Sequence, residues 1–138
     1  MALPLWIGSV LVCFSLQPLT VKGQARREAL QEHSWRLIRI GDSRVADSIV
    51  TTLQFGDTTY TLTGECNQAI GKYWTRGISR IGFTVPAGTW RACPGLNNDA
   101  KVANVLRRAN RYRVHTSGNA RSLSLRRGLR VLAVLEAK

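Results

Sequence analysis

Short stretches in which apolar and polar residues alternate recur along most of the chain and predict β-strands. The clearest example is 49–55, where Ile49, Thr51, Leu53 and Phe55 fall on one side and the residues between them on the other. Glycine, proline and aspartate between the stretches suit tight turns. Further strands are predicted at residues 35–40, 59–63 and 81–85, with a short one around Tyr73 and Trp74.

One segment has helical spacing. From residue 98 to 109 the apolar positions recur at intervals of three and four, with Asp99 near the start and Arg107 and Arg108 near the end, as the helix dipole favours.

Residues 26–33 are polar and predict a lead-in turn or a frayed helix. Residues 112–115 predict another strand, and 122–125 with 129–135 a closing hairpin whose last strand is buried on both faces or covered by the helix. These elements predict an α+β fold, mostly antiparallel β, with a curved sheet around or against one helix.

The N-terminus has the pattern of an export signal. Residues 3–16 carry no charge, and small residues at Gly23 and Ala25 suit a signal peptidase. The sequence predicts a cleaved signal peptide over 1–25, a domain over 26–138, and a periplasmic or secreted location. An uncleaved anchor is the alternative, although the apolar run is shorter than the roughly 20 residues that a membrane span needs. Val12 before Cys13 does not suit a lipid anchor.

The chain is strongly basic, with 20 Lys and Arg against 8 Asp and Glu and a net charge of +12. Such a charge attracts anionic partners. Basic residues concentrate in the last third, and guanidinium groups pair well with phosphate. In an exported protein we expect lipid or lipopolysaccharide phosphate, a membrane surface or an envelope protein as partner, and no nucleic acid. A solubilising surface is the alternative. Within a set that includes Arg113 and Arg121, the candidate anion-binding residues are Arg107, Arg108, Arg111, Arg126, Arg127 and Arg130.

Two cysteines, Cys66 and Cys93, remain after the signal segment. An even number in an oxidising compartment suggests a disulfide. A reactive thiol pair and a partial metal site are alternatives, but there is no C-x-x-C spacing, and His33 and His115 lack the close ligand spacing of zinc sites. The sequence therefore predicts no metal.

The chain shows no acidic pair, phosphate loop or serine-centred motif, so we expect no enzyme, no catalytic residues and no cofactor. Trp74 and Trp90 lie beside arginines and are candidates for lining an apolar groove, with core packing as the alternative. Asn67 is either a ligand contact or, as is more usual in such a loop, a partner of its own backbone.

Three motifs together resemble the META domain family, also called HslJ-like. They are Trp35-x-Leu37-x-x-Ile40, Gly64-x-Cys66-Asn67-x-x-x-Gly71-x-Tyr73, and Thr89-Trp90-Arg91-Ala92-Cys93-Pro94, followed by one helix and the Leu123-x-Leu125 hairpin. The resemblance covers roughly residues 34–136.

The resemblance implies a small envelope or secreted domain with the two motif cysteines paired. It also implies a cracked β-barrel with a helix and an apolar groove, similar to a secretin pilot protein, and a noncatalytic accessory or stress-related role. An acyl-chain or lipid carrier is the alternative. The family usually has glycine where this chain has Glu65, so a left-handed backbone there would be strained. It also often has methionine near Arg91.

Overall fold

The computed structural model describes residues 20–89 and 98–138, with the side chains of 20–22 excepted. Its elements are, in chain order, α1 Thr20–Gln31, β1 Ser34–Ile40, β2 Ser43–Arg44, β3 Thr52–Phe55, β4 Thr59–Thr63, β5 Gln68–Arg76, β6 Arg80–Phe83, β7 Ala87–Gly88, α2 Asn98–Arg108, β8 Arg111–Ser117, β9 Ala120–Arg127 and β10 Arg130–Ala137. The predicted helix forms, and a strand forms in each predicted stretch, although the strand predicted over 49–55 begins only at Thr52 and the one predicted over 81–85 ends at Phe83. The strand around Tyr73 is longer than expected, because alternation continues from Gln68 to Arg76.

The strands form a closed antiparallel barrel. Eight of them follow the order β1, β3, β4, β5, β6, β8, β9 and β10, and β10 pairs with β1 to close the ring. Strand β2 adds to β1 and β7 to β5, outside the ring. The prediction of a mostly antiparallel α+β fold is confirmed. The narrowest junction joins β6 to β8, which share the single residue pair Arg80 and Arg111.

Inward-facing residues of these strands fill the barrel. Trp35, Tyr60, Tyr112 and Leu62 are among its buried side chains, each 2% exposed or less. In β10, Leu132, Ala133 and Leu135 are buried while Val131 and Val134 are half-buried, and a register shift lies between Val131 and Ala133. That strand is covered in part on both faces, as its unbroken apolar sequence predicts.

The described residues contain two helices, so the prediction of a single helix is wrong. Helix α2 packs Val102, Val105 and Leu106 inward, and it contacts β6, β9 and β10. Helix α1 occupies the stretch predicted as a turn or frayed helix. It is stabilised by tertiary contacts that local propensity does not reveal, since Leu30 is fully buried and its carbonyl accepts a hydrogen bond from Trp35 Nε1 at 2.9 Å.

Helix α1 covers one end of the barrel. Gln31 Nε2 donates to the Gly56 carbonyl at 2.9 Å and to the Tyr73 hydroxyl at 3.0 Å, and Arg26 donates to the Ile78 carbonyl at 3.2 Å. Gly56 and Ile78 belong to the β3–β4 and β5–β6 turns, so these turns mark the covered end. The helix includes residues on both sides of the predicted cleavage point, and the cleavage itself stays a prediction.

Candidate anion-binding surface

The structure brings four of the six candidate arginines into two cross-strand pairs. Arg111 on β8 faces Arg126 on β9, and Arg127 faces Arg130 across the β9–β10 hairpin. Cross-strand partners project from the same face of a sheet. The other two candidates, Arg107 and Arg108, end α2, where Arg107 donates to Asn104 Oδ1 at 3.1 Å.

The pair Arg111 and Arg126 is part of a longer row. Arg76 on β5 faces Arg80 on β6, Arg80 faces Arg111, and Arg111 faces Arg126. Their strand neighbours Ile81, Tyr112 and Leu125 are buried, so the arginines project outward; Arg76, Arg80 and Arg111 are exposed and Arg126 is half-buried. We call Arg76, Arg80, Arg111 and Arg126 the arginine row.

Sequence reasoning missed Arg76 and Arg80. The alternation of the two strands could have identified them. Arg76 comes just before the turn at Gly77 and Arg80 just after it, and each is next to an inward-facing residue of its strand. What could not be read from the sequence is the pairing of β6 with β8, which lie far apart in the chain.

The middle of the row is the most crowded part. Beside Arg80 and Arg111, Ile81 N donates to the Asn110 carbonyl at 3.2 Å and Tyr112 N to the Ser79 carbonyl at 2.8 Å. These bonds flank the pair, so Arg80 and Arg111 form a non-hydrogen-bonded antiparallel pair, the type in which facing side chains approach most closely.

No carboxylate of the chain neutralises the row. All eight acidic residues lie in the described ranges, and the ion pairs found there involve Glu32 alone, with Arg121 at 3.1 Å and His33 at 3.8 Å. Arg111 Nη1 donates to the neutral Ser79 Oγ at 2.9 Å, while the buried Arg126 Nε has no hydrogen-bond partner among residues 20–89 and 98–138. The row is therefore a group of adjacent positive charges without an internal counter-charge.

The row lies beside an open depression at the β6–β8 junction, which extends from the end that α1 covers toward the β9–β10 hairpin. Its volume is about 490 Å³, and Arg26, Ser79, Arg111, Arg126 and Leu129 are among the residues that line it. Leu129 occupies the tip of the β9–β10 hairpin and is 95% exposed.

The hairpin tip is held in place. Gly128 has a φ of 58°, which suits a glycine at the first position of a two-residue hairpin loop. Its N–H donates to Asn110 Oδ1 at 2.9 Å, and Asn110 N donates to the Arg126 carbonyl at 2.9 Å. The tip and the row therefore keep a fixed relation to each other.

The aromatic and cysteine candidates are only partly within the described structure. Trp74 lies on the outside of β5, 54% exposed, with its indole packed over Gly82, so close that a Cβ there would lie 2.1 Å from the ring. Trp90 lies outside the described residues, and the apolar groove stays a prediction. Cys66 is exposed in the β4–β5 loop, whereas Cys93 lies outside the described residues, so their disulfide also stays a prediction.

The loop around Cys66 is organised by backbone and packing contacts. Gly64 N donates to the carbonyl of the buried Asn67 at 2.8 Å, and a Cβ on Gly64 would lie 1.8 Å from Oδ1 of the buried Asp99. Glu65 does not adopt a positive φ, so the strain considered for that position is absent. The loop glycine is required by the close approach of Asp99.

The second motif glycine makes room for a buried tyrosine. Gly71 faces Tyr60 across β4 and β5, and a Cβ there would lie 2.5 Å from the tyrosine oxygen. The Tyr60 hydroxyl instead donates to the Thr84 carbonyl at 2.6 Å, and burial raises its pKa to about 12. Burial also raises the pKa of Tyr112, whose hydroxyl has no hydrogen-bond partner in the described part of the chain.

Residues 20–89 and 98–138 contain neither a cluster of metal ligands nor a helix that could span a membrane. No group of three His, Cys, Asp or Glu side chains in these ranges is arranged to hold a metal ion. Neither α1 nor α2 is long and apolar enough to cross a membrane.

Comparison with known proteins identifies the fold and the family. An NMR structure of a protein from Burkholderia xenovorans matches with a TM-score of 0.65 and 20% identity, over 83% of this chain and 87% of that one. A second NMR structure matches with a TM-score of 0.56 and 17% identity, over 80% and 92% of the two chains. No curated protein matches the chain. The model of the META domain matches residues 28–138, and the chain therefore belongs to the META domain family.

Proposed function

We propose that this protein is a noncatalytic, exported binding module whose arginine row binds phosphate-bearing anions. The observation that carries the proposal is the alignment of four arginines on four adjacent strands without a carboxylate partner. Like charges that face each other across strands destabilise a sheet. A bound anion would remove that repulsion, and each guanidinium offers forked donors that match phosphate oxygens.

The filled interior favours a surface site over an internal acyl-chain site. Trp35, Tyr60 and Tyr112 occupy the space inside the barrel with their neighbours, each at most 1% exposed. We further propose that the β6–β8 junction is the crack that the family resemblance implies. It is a single residue pair long, and the two residues are Arg80 and Arg111 of the row.

We also propose that the protein is exported to the periplasm or to the outside of the cell. Its support is the uncharged run over residues 3–16 and the small residues that follow. In that compartment the available anions include phospholipid and lipopolysaccharide headgroups, and an oxidised Cys66–Cys93 pair would stabilise the β4–β5 loop. An accessory or stress-related role in the envelope is consistent with such binding.

The test is an isothermal calorimetric titration of the protein with soluble polyphosphate, which gives the binding affinity at each of several NaCl concentrations. We expect wild-type affinity to fall as salt rises, because salt screens exposed charges. The double variant Arg76→Thr/Arg80→Thr should lose about tenfold or more in affinity, since each charge-assisted hydrogen bond is worth roughly 1.5–3 kcal/mol.

The matched control is Lys72→Thr/Lys101→Gln, which removes the same charge from exposed positions outside the row. It should keep most of the affinity. Equal losses in the two double variants would mean that net charge alone attracts the anion and would reject the row as a site.

A further inference from the structure

We infer that the partner of the arginine row is the surface of an anionic bilayer, onto which the β9–β10 hairpin and the adjoining part of the row dock with Leu129 inserted among the lipids. The inference rests on the proposed function and adds the kind of partner and the orientation. Leu129 is an unusual side chain. It is 95% exposed, although burial of a leucine side chain normally lowers the free energy of a protein.

Several arginines lie near Leu129. Arg127 and Arg130 face each other at the base of the hairpin, directly beside the tip. Behind them, Arg111 and Arg126 line the depression that Leu129 also lines, together with Arg26 of α1. An apolar tip next to a group of cations is complementary to a bilayer, in which anionic headgroups cover a hydrocarbon interior.

A second apolar side chain lies in the adjacent turn. Ile78, 37% exposed, precedes Ser79, which lines the same depression as Leu129. The alternating strand directions place the β5–β6 turn and the β9–β10 hairpin at opposite ends of the barrel, but both border this depression, and each carries one exposed apolar side chain. A soluble phosphate would use the arginines alone, whereas a bilayer would also use Leu129, and this difference favours the bilayer.

The hairpin can insert without rearranging. Asn110 accepts from Gly128 N and donates to the Arg126 carbonyl, so the tip conformation is fixed before any contact with lipid. A preformed tip avoids part of the entropic cost of ordering a loop on binding.

The experiment compares vesicle co-sedimentation with polyphosphate binding for the intact protein purified from the exported fraction. Vesicles contain equal parts phosphatidylglycerol and phosphatidylcholine, with pure phosphatidylcholine as the neutral reference. We expect Leu129→Ser to weaken binding to the anionic vesicles about 10- to 100-fold, the loss that corresponds to removing one buried leucine side chain. Its polyphosphate affinity and its melting temperature should stay unchanged.

Val85→Ser is the matched control, because Val85 is 73% exposed and does not line this depression. It should bind vesicles as the wild type does. Polyphosphate binding without vesicle binding, or equal vesicle binding by Leu129→Ser and wild type, would overturn the bilayer inference and leave the anion site standing. Failure to bind either probe would overturn both.

Discussion

Removing one arginine from the middle of the row should stabilise the unliganded protein. Arg80 faces Arg76 on one side and Arg111 on the other, and no hydrogen bond of its guanidinium is found within the described residues. Unfavourable cross-strand pairs cost roughly 0.2–1 kcal/mol each. Arg80→Thr relieves two of them, so we expect the free energy of unfolding to rise by about 0.4–2 kcal/mol at low salt, or roughly 2–10 °C in melting temperature.

The assay is thermal and urea unfolding in about 10 mM and 1 M NaCl, where the screening lengths are roughly 30 and 3 Å. The gain should shrink at high salt, because the repulsion is then screened. Lys72→Thr controls for the strand preference of threonine, since Lys72 is also exposed and faces the neutral Thr59. Equal shifts in the two variants, or a gain for Arg80→Thr that does not depend on salt, would refute the reasoning.

Three further predictions concern the loop and the core. Gly64→Ala should lower the free energy of unfolding by about 1–3 kcal/mol, because the Cβ of the alanine would overlap Asp99 Oδ1. A double-mutant cycle with Asp99→Ala should show coupling between the two sites. Additive losses would exclude this contact as the cause. Stability should fall as pH rises from 10 to 12, because the pKa of Tyr60 is raised to about 12 and the folded state keeps a proton that the unfolded state loses; Tyr60→Phe should flatten this decline, and an unchanged slope would contradict the assignment. Thiol titration of the exported protein should find Cys66 and Cys93 oxidised, and reduction should cost roughly 3.5 kcal/mol on the chain-entropy estimate; two free thiols would contradict the pairing.

Local patterns were sufficient to predict most elements. Alternation identified β1, β3 and β4 because one face of each strand is buried, and spacing identified α2 because its apolar side chains share one face. Helix α1 was predicted less well. It has a weak apolar face, and its position depends on Leu30 and Gln31 contacting residues that lie far away in the sequence.

The candidate site was predicted only in part, because the sequence reveals local features but not contacts between distant residues. The sequence identified the basic last third, and within it Arg111 and Arg126, because charge can be counted along the chain. It could not show that Arg76 and Arg80 continue their row, since that requires the register of β5, β6 and β8. Cross-strand register depends on barrel closure, which is a property of the whole fold.

The most direct test of the central claim is the order of stability of wild type and Arg80→Thr with and without polyphosphate. Melting temperatures are measured at low salt, in buffer alone and with a saturating concentration of the anion. If the row is a binding site that costs stability when empty, Arg80→Thr melts higher in buffer and wild type melts higher with the anion, because binding to the folded state adds stability. The same order in both conditions would contradict the claim.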